Sequence, residues 1–232
     1  MTNGRSTATI VGVLFLVAFI TYALDGMIVG PVLTSPVDLA GIALSANQLA
    51  WGAFLVLLGA GSVIGIAIAM FPILRRHHEG LALGYVGART VEALLSLVAV
   101  VALLSLLTVS QQHAQAGAAA GAPLEPLATL LVATQDWAFL IGSTIAFCLS
   151  ALILYALLYR TKLVPRFISV WGLIAAAMWL TTGFLGLFGY SFDATWYIWS
   201  LPIMTNELFL AVWLIVRGFN ATALAGATPV RA

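Results

Sequence analysis

Six long apolar stretches alternate with short polar segments along the chain. A transmembrane helix needs about 20 predominantly apolar residues, and each stretch reaches about that length. The predicted spans are residues 8–26, 48–74, 81–103, 127–159, 167–190 and 195–216. We therefore predict an all-α fold in which residues 1–232 form one integral membrane domain, a single bundle of six transmembrane helices.

The segments outside the spans differ in composition. Residues 35–38 have the serine, proline and aspartate of a typical helix start, with Ser35 as the N-cap, and predict a short interfacial helix over 36–44. Residues 111–126 are rich in Ala, Gly and Gln, a composition that buries little surface, and predict a mobile loop. The tail from Asn220 is short and polar, and we predict that it is disordered.

Composition identifies lipid as the solvent of most of the chain. The chain is 62% hydrophobic and 7% charged, and its mean hydropathy is +1.10. A soluble domain carries about 25% charged residues, so this chain cannot cover a water-facing surface. The expected partner is therefore a lipid bilayer and the expected location is the cell membrane. The net charge of +1 gives no reason to expect nucleic acid, and nothing predicts an oligomeric state.

Basic residues sort to one side of the predicted six-span arrangement. Short loops that carry Lys and Arg stay on the cytoplasmic side of a membrane. The predicted outer loops contain no Lys or Arg, so we predict that the N and C termini are both cytoplasmic. The basic residues at the inner ends and turns are Arg5, Arg75, Arg76, Arg160, Lys162, Arg166, Arg217 and Arg231.

The first span has a second interpretation. Arg5 and the apolar core that follows it, with Thr21-Tyr22-Ala23 as a weak cleavage site, are also compatible with a signal peptide. The apolar stretch is longer than a usual signal core, and it completes an even number of spans. We therefore favour a retained first span.

Three ionisable residues lie near the middle of the predicted bilayer. Arg89 is about 15 Å along its helix from Glu79, Glu92 is about one turn deeper, and Glu207 is about 15 Å from Arg217. Charges at that depth are costly, and they mark a functional site by default. Since Arg89 and Glu207 share a depth on different spans, we predict that they pair.

The third span also shows a repeat of small residues. Every fourth residue from 80 to 96 belongs to this repeat, which predicts one narrow packing face with Glu92 in line: Gly80, Gly84, Ala88, Glu92 and Ser96. Arg89 lies about 60° around the same helix. Both charges can therefore face a neighbouring helix rather than lipid.

The charges of the cluster predict its chemistry. One arginine and two glutamates, all ionised, would hold one net negative charge in a low dielectric, which a shared proton or a bound cation relieves. The candidates to complete the hydrogen bonding are Asn206, Thr205, Ser96, Thr181 and Thr182. Pro202 removes one backbone hydrogen bond from the sixth span and predicts a kink just before Asn206 and Glu207.

Three functions remain open for this cluster. A small transporter, or a membrane protein that binds a small polar ligand or a lipid, would use one glutamate, with Glu92 as the candidate, to exchange a proton or engage a polar headgroup. A structural or regulatory subunit would use the Arg–Glu pair only to fix helix packing. An intramembrane enzyme is least favoured, because no nucleophile, metal set or cofactor ligand accompanies the glutamates.

No cofactor or metal is predicted. A membrane haem needs histidines on the spans, but His77, His78 and His113 are predicted to lie in turns and loops. A retinal protein needs an intramembrane lysine, and the only lysine, Lys162, is predicted to lie in a turn. The single cysteine, Cys148, lies in an apolar run and is interpreted as a packing residue.

Four motifs together are similar to a known family. They are residues 12–16 in the first span, residues 88–92 in the third, residues 163–166 before the fifth, and Glu207 followed by residues 213–219. In their order and spacing, and over nearly its whole length, the chain resembles the uncharacterised bacterial membrane family described as domain of unknown function 4386. The resemblance implies a polytopic helical membrane protein with no assigned activity.

Overall fold

Among the described residues of the computed structural model, six helices are long and apolar enough to cross a membrane. The structure describes residues 4–33, 36–116, 124–190 and 195–225, and this part of the chain contains helices and no strand. The first to sixth spans are Gly4–Val29, Ala46–Leu74, Glu79–Ala116, Glu125–Thr161, Arg166–Leu187 and Trp196–Val216. The prediction of an all-α, six-span membrane bundle is confirmed.

The third span is longer than its apolar stretch. The helix runs on to Ala116, so His113 lies in its last turn and not in the predicted loop. The residues that extend it include Gln and Ala, which are good helix formers, so the helix continues after its hydrophobic part ends. Residues 117–123 of the predicted mobile loop lie outside the described residues.

The short helix between the first two spans begins later than predicted. It comprises Leu39–Leu44, and its N-cap is Asp38, whose Oδ1 accepts a hydrogen bond from the backbone N–H of Ala40 at 3.1 Å. An aspartate in extended backbone is as good a cap as a serine, so the acidic residue takes the role given to Ser35. Ser35 itself lies outside the described residues.

The tail is ordered where it leaves the sixth span, which corrects the predicted disorder. Residues Ala221–Ala225 form a short helix. Asn220 caps it, because its Oδ1 accepts from the backbone N–H of Thr222 at 3.1 Å. The backbone N–H of Asn220 also donates to the carbonyl of Leu163 at 2.9 Å, which ties the tail to the turn before the fifth span. Residues 226–232 lie outside the described residues.

The six spans close on themselves. Each span packs against the next along the chain, and the sixth also packs against the first. Gly12 allows this closure, since a β-carbon there would lie 2.6 Å from the carbonyl oxygen of Ala211 and 2.7 Å from Cγ1 of Ile215. Arg5 fastens the same seam, because its Nη2 donates to the carbonyls of Ile215 and Val216 at 2.8 and 3.0 Å. The last carbonyls of the sixth span are thereby satisfied.

The buried face of the third span is not the predicted stripe. Gly80 and Gly84 are exposed, whereas Tyr85, Glu92 and Ser96 are buried. A step of four residues turns an α-helix by about 400°, so a four-residue repeat drifts by about 40° per step away from a fixed direction. The buried face instead follows spacings of three and four. The largest buried apolar cluster among the described residues contains side chains from all six spans, and Tyr85 is one of them.

Candidate functional site

Arg89 binds two carboxylates in the interior of the bundle. Its Nη1 lies 3.1 and 3.3 Å from Oε2 and Oε1 of Glu92, one turn away on the same helix. Its Nη2 lies 3.4 Å from Oε1 of Glu207 on the sixth span. The predicted pairing of Arg89 with Glu207 is thus present, and the guanidinium joins the third and sixth spans through charge.

Aromatic rings surround the same guanidinium. Its Cζ lies 5.8 Å from the ring centre of Phe15, 5.7 Å from that of Tyr85 and 5.2 Å from that of Phe147. These rings come from the first, third and fourth spans, so Arg89 touches side chains of four spans when Glu207 is included. A desolvated cation over an aromatic face gains about 2 kcal/mol, which offsets part of the cost of its burial.

The two glutamates have different surroundings. The side chain of Glu92 is 5% exposed and that of Arg89 is 2% exposed. The side chain of Glu207 is 18% exposed and meets Arg89 through one oxygen. Glu207 is therefore the more accessible and the less firmly held carboxylate.

Ser96 links Glu92 to the first span. The Oγ of Ser96 donates to the backbone carbonyl of Glu92 at 3.0 Å and lies 3.2 Å from the hydroxyl of Tyr22. Since the Ser96 proton is used toward Glu92, the Tyr22 hydroxyl is the donor of that second bond. Ser96 thus bonds the backbone of Glu92 and not its carboxylate, so the predicted role in the hydrogen bonding of the charged groups stays a prediction.

Asn206 and Thr205 do not complete the hydrogen bonding of the cluster as predicted. The amide of Asn206 is fully buried and donates to the carbonyl of Ile168 on the fifth span at 3.0 Å. The hydroxyl of Thr205 is exposed and donates to a carbonyl of its own helix at 2.6 Å. Pro202 lies inside the continuous helix Trp196–Val216, and the kink there stays a prediction.

A π-helical segment of the fourth span packs against Glu92. Residues Leu140–Ala146 have this wider winding. π-Helical turns are rare in proteins, and those that occur often lie at functional sites. A β-carbon on Gly142 would lie 2.7 Å from Cβ of Leu95 and 3.4 Å from the carbonyl oxygen of Glu92, so glycine allows the contact. Phe147 follows directly after the segment, and the added winding sets the direction from which its ring reaches Arg89.

Some buried polar atoms near the cluster have unused hydrogen-bonding capacity. Within the described ranges, Nε of Arg89, the hydroxyl of Tyr155 and Oδ1 of Asn206 are buried and have no hydrogen-bond partner. Buried polar groups in proteins are nearly always paired, with protein or with ordered water. The interior around Arg89 therefore has donors and acceptors beyond those that its ion pairs use.

Two clefts open on the surface of the bundle, away from the cluster. One of about 780 Å³ lies between the C-terminal end of the first span and the N-terminal end of the second, beside the helix Leu39–Leu44. The other, of about 460 Å³, lies beside the turn between the fourth and fifth spans. Neither is lined by Arg89, Glu92 or Glu207.

The sequence signals differ among the residues of the site. Arg89, Glu92 and Glu207 were identified by depth alone. Tyr85 could have been found as well, because it lies one turn before Arg89 on the same helix face. Phe147 could not, because its direction depends on the π-helical winding before it.

The fold and the cluster define a class: a multi-pass α-helical membrane protein with a buried Arg–Glu–Glu cluster at its centre. Residues 10–218 match the family described as Domain of unknown function (DUF4386), and this chain belongs to that family. The matched region contains the whole cluster. No curated protein and no solved structure matches the chain.

Proposed function

We propose that this protein is a small transporter or a ligand-binding membrane protein in which the Arg89–Glu92–Glu207 cluster binds one exchangeable proton. One observation carries the proposal: a single guanidinium is shared by two carboxylates in the interior of the bundle. With all three groups ionised, the cluster would hold a net negative charge where charge is most costly. One proton on a carboxylate removes that charge and keeps both glutamates bound to Arg89.

Glu207 is the carboxylate that exchanges the proton in this proposal, in place of Glu92. Both oxygens of Glu92 lie within 3.3 Å of Arg89, and its side chain is 5% exposed. Glu207 has one contact to Arg89, at 3.4 Å, and is 18% exposed. The more exposed and more weakly bound carboxylate loses less on protonation.

Protonation of Glu207 would weaken one link between the third and sixth spans. Arg89 keeps its charge and can still donate to the neutral acid, but the Coulomb attraction between the guanidinium and the carboxylate is lost. A conformational change follows only if the two states of the bundle bind the proton with different affinities. The cluster would provide that difference if a second state of the bundle separated Arg89 from Glu207.

A structural lock is the second candidate, and one observation favours it. The guanidinium is enclosed by the rings of Phe15, Tyr85 and Phe147. In this role the three charges only fix helix register. No feature of the cluster favours the third alternative, an intramembrane enzyme.

Location and orientation belong to the same proposal. The cell membrane, with both termini in the cytoplasm, is supported by the one-sided distribution of basic residues in the sequence. A small polar ligand or a lipid headgroup would then approach the cluster from between the helices.

Infrared difference spectroscopy tests the proposal. Spectra of the purified parent at acid and alkaline pH should show the band of a protonated buried carboxyl group. Glu207→Gln keeps the volume of the side chain and removes its titratable proton, so the band should disappear. Glu92→Gln should retain a band, and Glu79→Gln, at the exposed first residue of the third span, is the matched control.

Two results would decide against proton exchange. A parent without a protonated buried carboxyl at any accessible pH would leave the structural lock as the function of the cluster. A band that persists in the folded Glu207→Gln protein and is lost in Glu92→Gln would assign the proton to Glu92.

A further inference from the structure

The cleft of about 460 Å³ gathers three positive charges in one place. Lys162 and Arg217 directly follow the fourth and sixth spans as their C-caps, and Arg166 is the first residue of the fifth span. All three line this cleft. Their side chains are exposed. The preference for basic residues in cytoplasmic loops explains why these three residues lie on the same side of the membrane. It does not explain why they meet at one cleft from the ends of three helices.

The backbone around this basic cleft is fixed. Lys162 has left-handed backbone with φ of 57°, and Gly218 has φ of 74°. Leu163 and Phe219 are buried, and the backbone N–H of Asn220 donates to the Leu163 carbonyl at 2.9 Å. The cleft is therefore preformed, so a ligand would not need to order its walls.

The cations of the basic cleft have no acidic partner. In the parts of the chain that the structure describes, none of Lys162, Arg166 and Arg217 forms an ion pair. Arg166 places its guanidinium 5.0 Å from the ring centre of Tyr159. Arg5 adds a fourth positive charge beside the cleft, because it lies next to Gly218, which lines the cleft. A β-carbon built on Gly218 would be 3.0 Å from Nη1 of Arg5. An anion is the ligand that this arrangement favours.

An aromatic strip continues from the basic cleft along the membrane-facing surface. Trp213 lines the cleft and stacks on Phe209, with ring centres 6.4 Å apart and planes 23° apart. Phe209 in turn lies 5.7 Å from Phe167 on the fifth span. Phe209 is 40% exposed and Phe167 is 55% exposed, so both rings offer apolar surface between the fifth and sixth spans.

We propose that the basic cleft binds the phosphate-bearing headgroup of an anionic phospholipid, whose acyl chain lies on the strip of Trp213, Phe209 and Phe167. Basic pockets at the ends of transmembrane helices are suited to anionic headgroups. The strip selects a lipid over free phosphate, because only the lipid has a chain to cover the exposed rings. This site is separate from the Arg89 cluster and does not depend on its proton.

Spin-labelled lipids test the basic cleft in the full-length protein. The protein is reconstituted in phosphatidylcholine vesicles that contain a trace of spin-labelled phosphatidylglycerol or spin-labelled phosphatidylcholine. The immobilised fraction gives the relative association constant of each lipid. The parent should prefer phosphatidylglycerol. Lys162→Asn with Arg217→Gln should lower that preference by about five-fold for each cation removed.

The variants are chosen to isolate the cleft. Asparagine tolerates the left-handed backbone of Lys162, so the turn is retained. Arg75→Gln with Arg76→Gln removes the same charge from another turn on the same predicted side, and should leave the preference unchanged. If the cleft variant does not fold, Phe209→Ala is the second test, since it should weaken binding of the lipid without changing any charge.

Each remaining outcome bears on the proposal. Equal loss of preference in the two double variants would show a diffuse charge effect and overturn it, as would a parent with no preference for phosphatidylglycerol. Inorganic phosphate should not displace the spin-labelled lipid at equal concentration. If it does, and Phe209→Ala is without effect, the cleft takes a free anion and the lipid proposal is wrong.

Discussion

The replacement Arg89→Met gives the sharpest test of how the cluster contributes to stability. Methionine fills much of the space between Phe15, Tyr85 and Phe147, so the main loss is the positive charge and its three hydrogen bonds. Glu92 and Glu207 would then lie buried without a cation. Breaking a buried ion pair in this way costs about 3–5 kcal/mol.

The distances in the cluster favour the lower end of that range. The three contacts of Arg89 measure 3.1, 3.3 and 3.4 Å, longer than the roughly 2.8 Å that is usual for a charge-assisted bond. We therefore expect Arg89→Met to lower the free energy of unfolding by about 3 kcal/mol. A triple variant that also carries Glu92→Leu and Glu207→Leu has no charge left in the cluster, so its free energy of unfolding should be higher than that of Arg89→Met alone.

Cys148 provides the assay, because it is the only cysteine of the chain and is fully buried. Its reaction with a maleimide during titration with sodium dodecyl sulfate reports the opening of the core. Arg76→Met, at an exposed arginine, is the control and should change the free energy by less than about 0.5 kcal/mol. The reasoning is refuted if Arg89→Met is as stable as the parent, or if the triple variant is less stable than Arg89→Met.

Three further predictions concern closure, pH and topology. Gly12→Ala should cost about 1–3 kcal/mol by separating the first and sixth spans, whereas Gly61→Ala, where a β-carbon meets nothing within 4 Å, should cost nothing in the same unfolding titration. Burial and the charge of Arg76 lower the pKa of His77 in the folded protein. As pH falls below about 6.5, His77 is therefore protonated in the unfolded chain before it is protonated in the folded protein, and the free energy of unfolding decreases. His77→Gln should make the free energy of unfolding less dependent on pH in that range. Cysteines introduced at residue 117 and at the exposed residue 160 in a Cys148→Ala background should react with impermeant reagents from opposite sides, and reaction from one side only would contradict the six-span topology.

The spans were predictable because length and hydropathy alone determine them. Their ends were less so, since a helix ends where its backbone bonds stop and not where its apolar residues stop. The third span continues through polar residues to Ala116. The fifth ends at Leu187, where Gly189 takes a φ of 85° that continues no helix, although Tyr190 was predicted to belong to it.

The directions of side chains limit how much of the candidate site can be predicted from the sequence. Depth brought Arg89 and Glu207 together correctly. It also grouped Asn206 and Thr205 with them, although neighbouring residues on a helix differ in direction by about 100°. Asn206 consequently faces the fifth span and Thr205 faces outward. Choosing between such neighbours requires the rotation of the sixth span, which its contacts with the first span fix.

These contacts with the first span also determine what protonation of Glu207 can do under the proposed function. Gly12 and Arg5 hold the end of the sixth span near Ile215 against the first span. Glu207 lies about 12 Å along the helix from that seam. The neighbouring Asn206 is held separately, because its amide donates to the carbonyl of Ile168 on the fifth span at 3.0 Å. Loss of the bond to Arg89 would thus weaken only the link between the third and sixth spans, while the contacts with the first and fifth spans stay in place. A structural lock requires no titratable proton at Glu207, so the Glu207→Gln spectrum decides between the two functions.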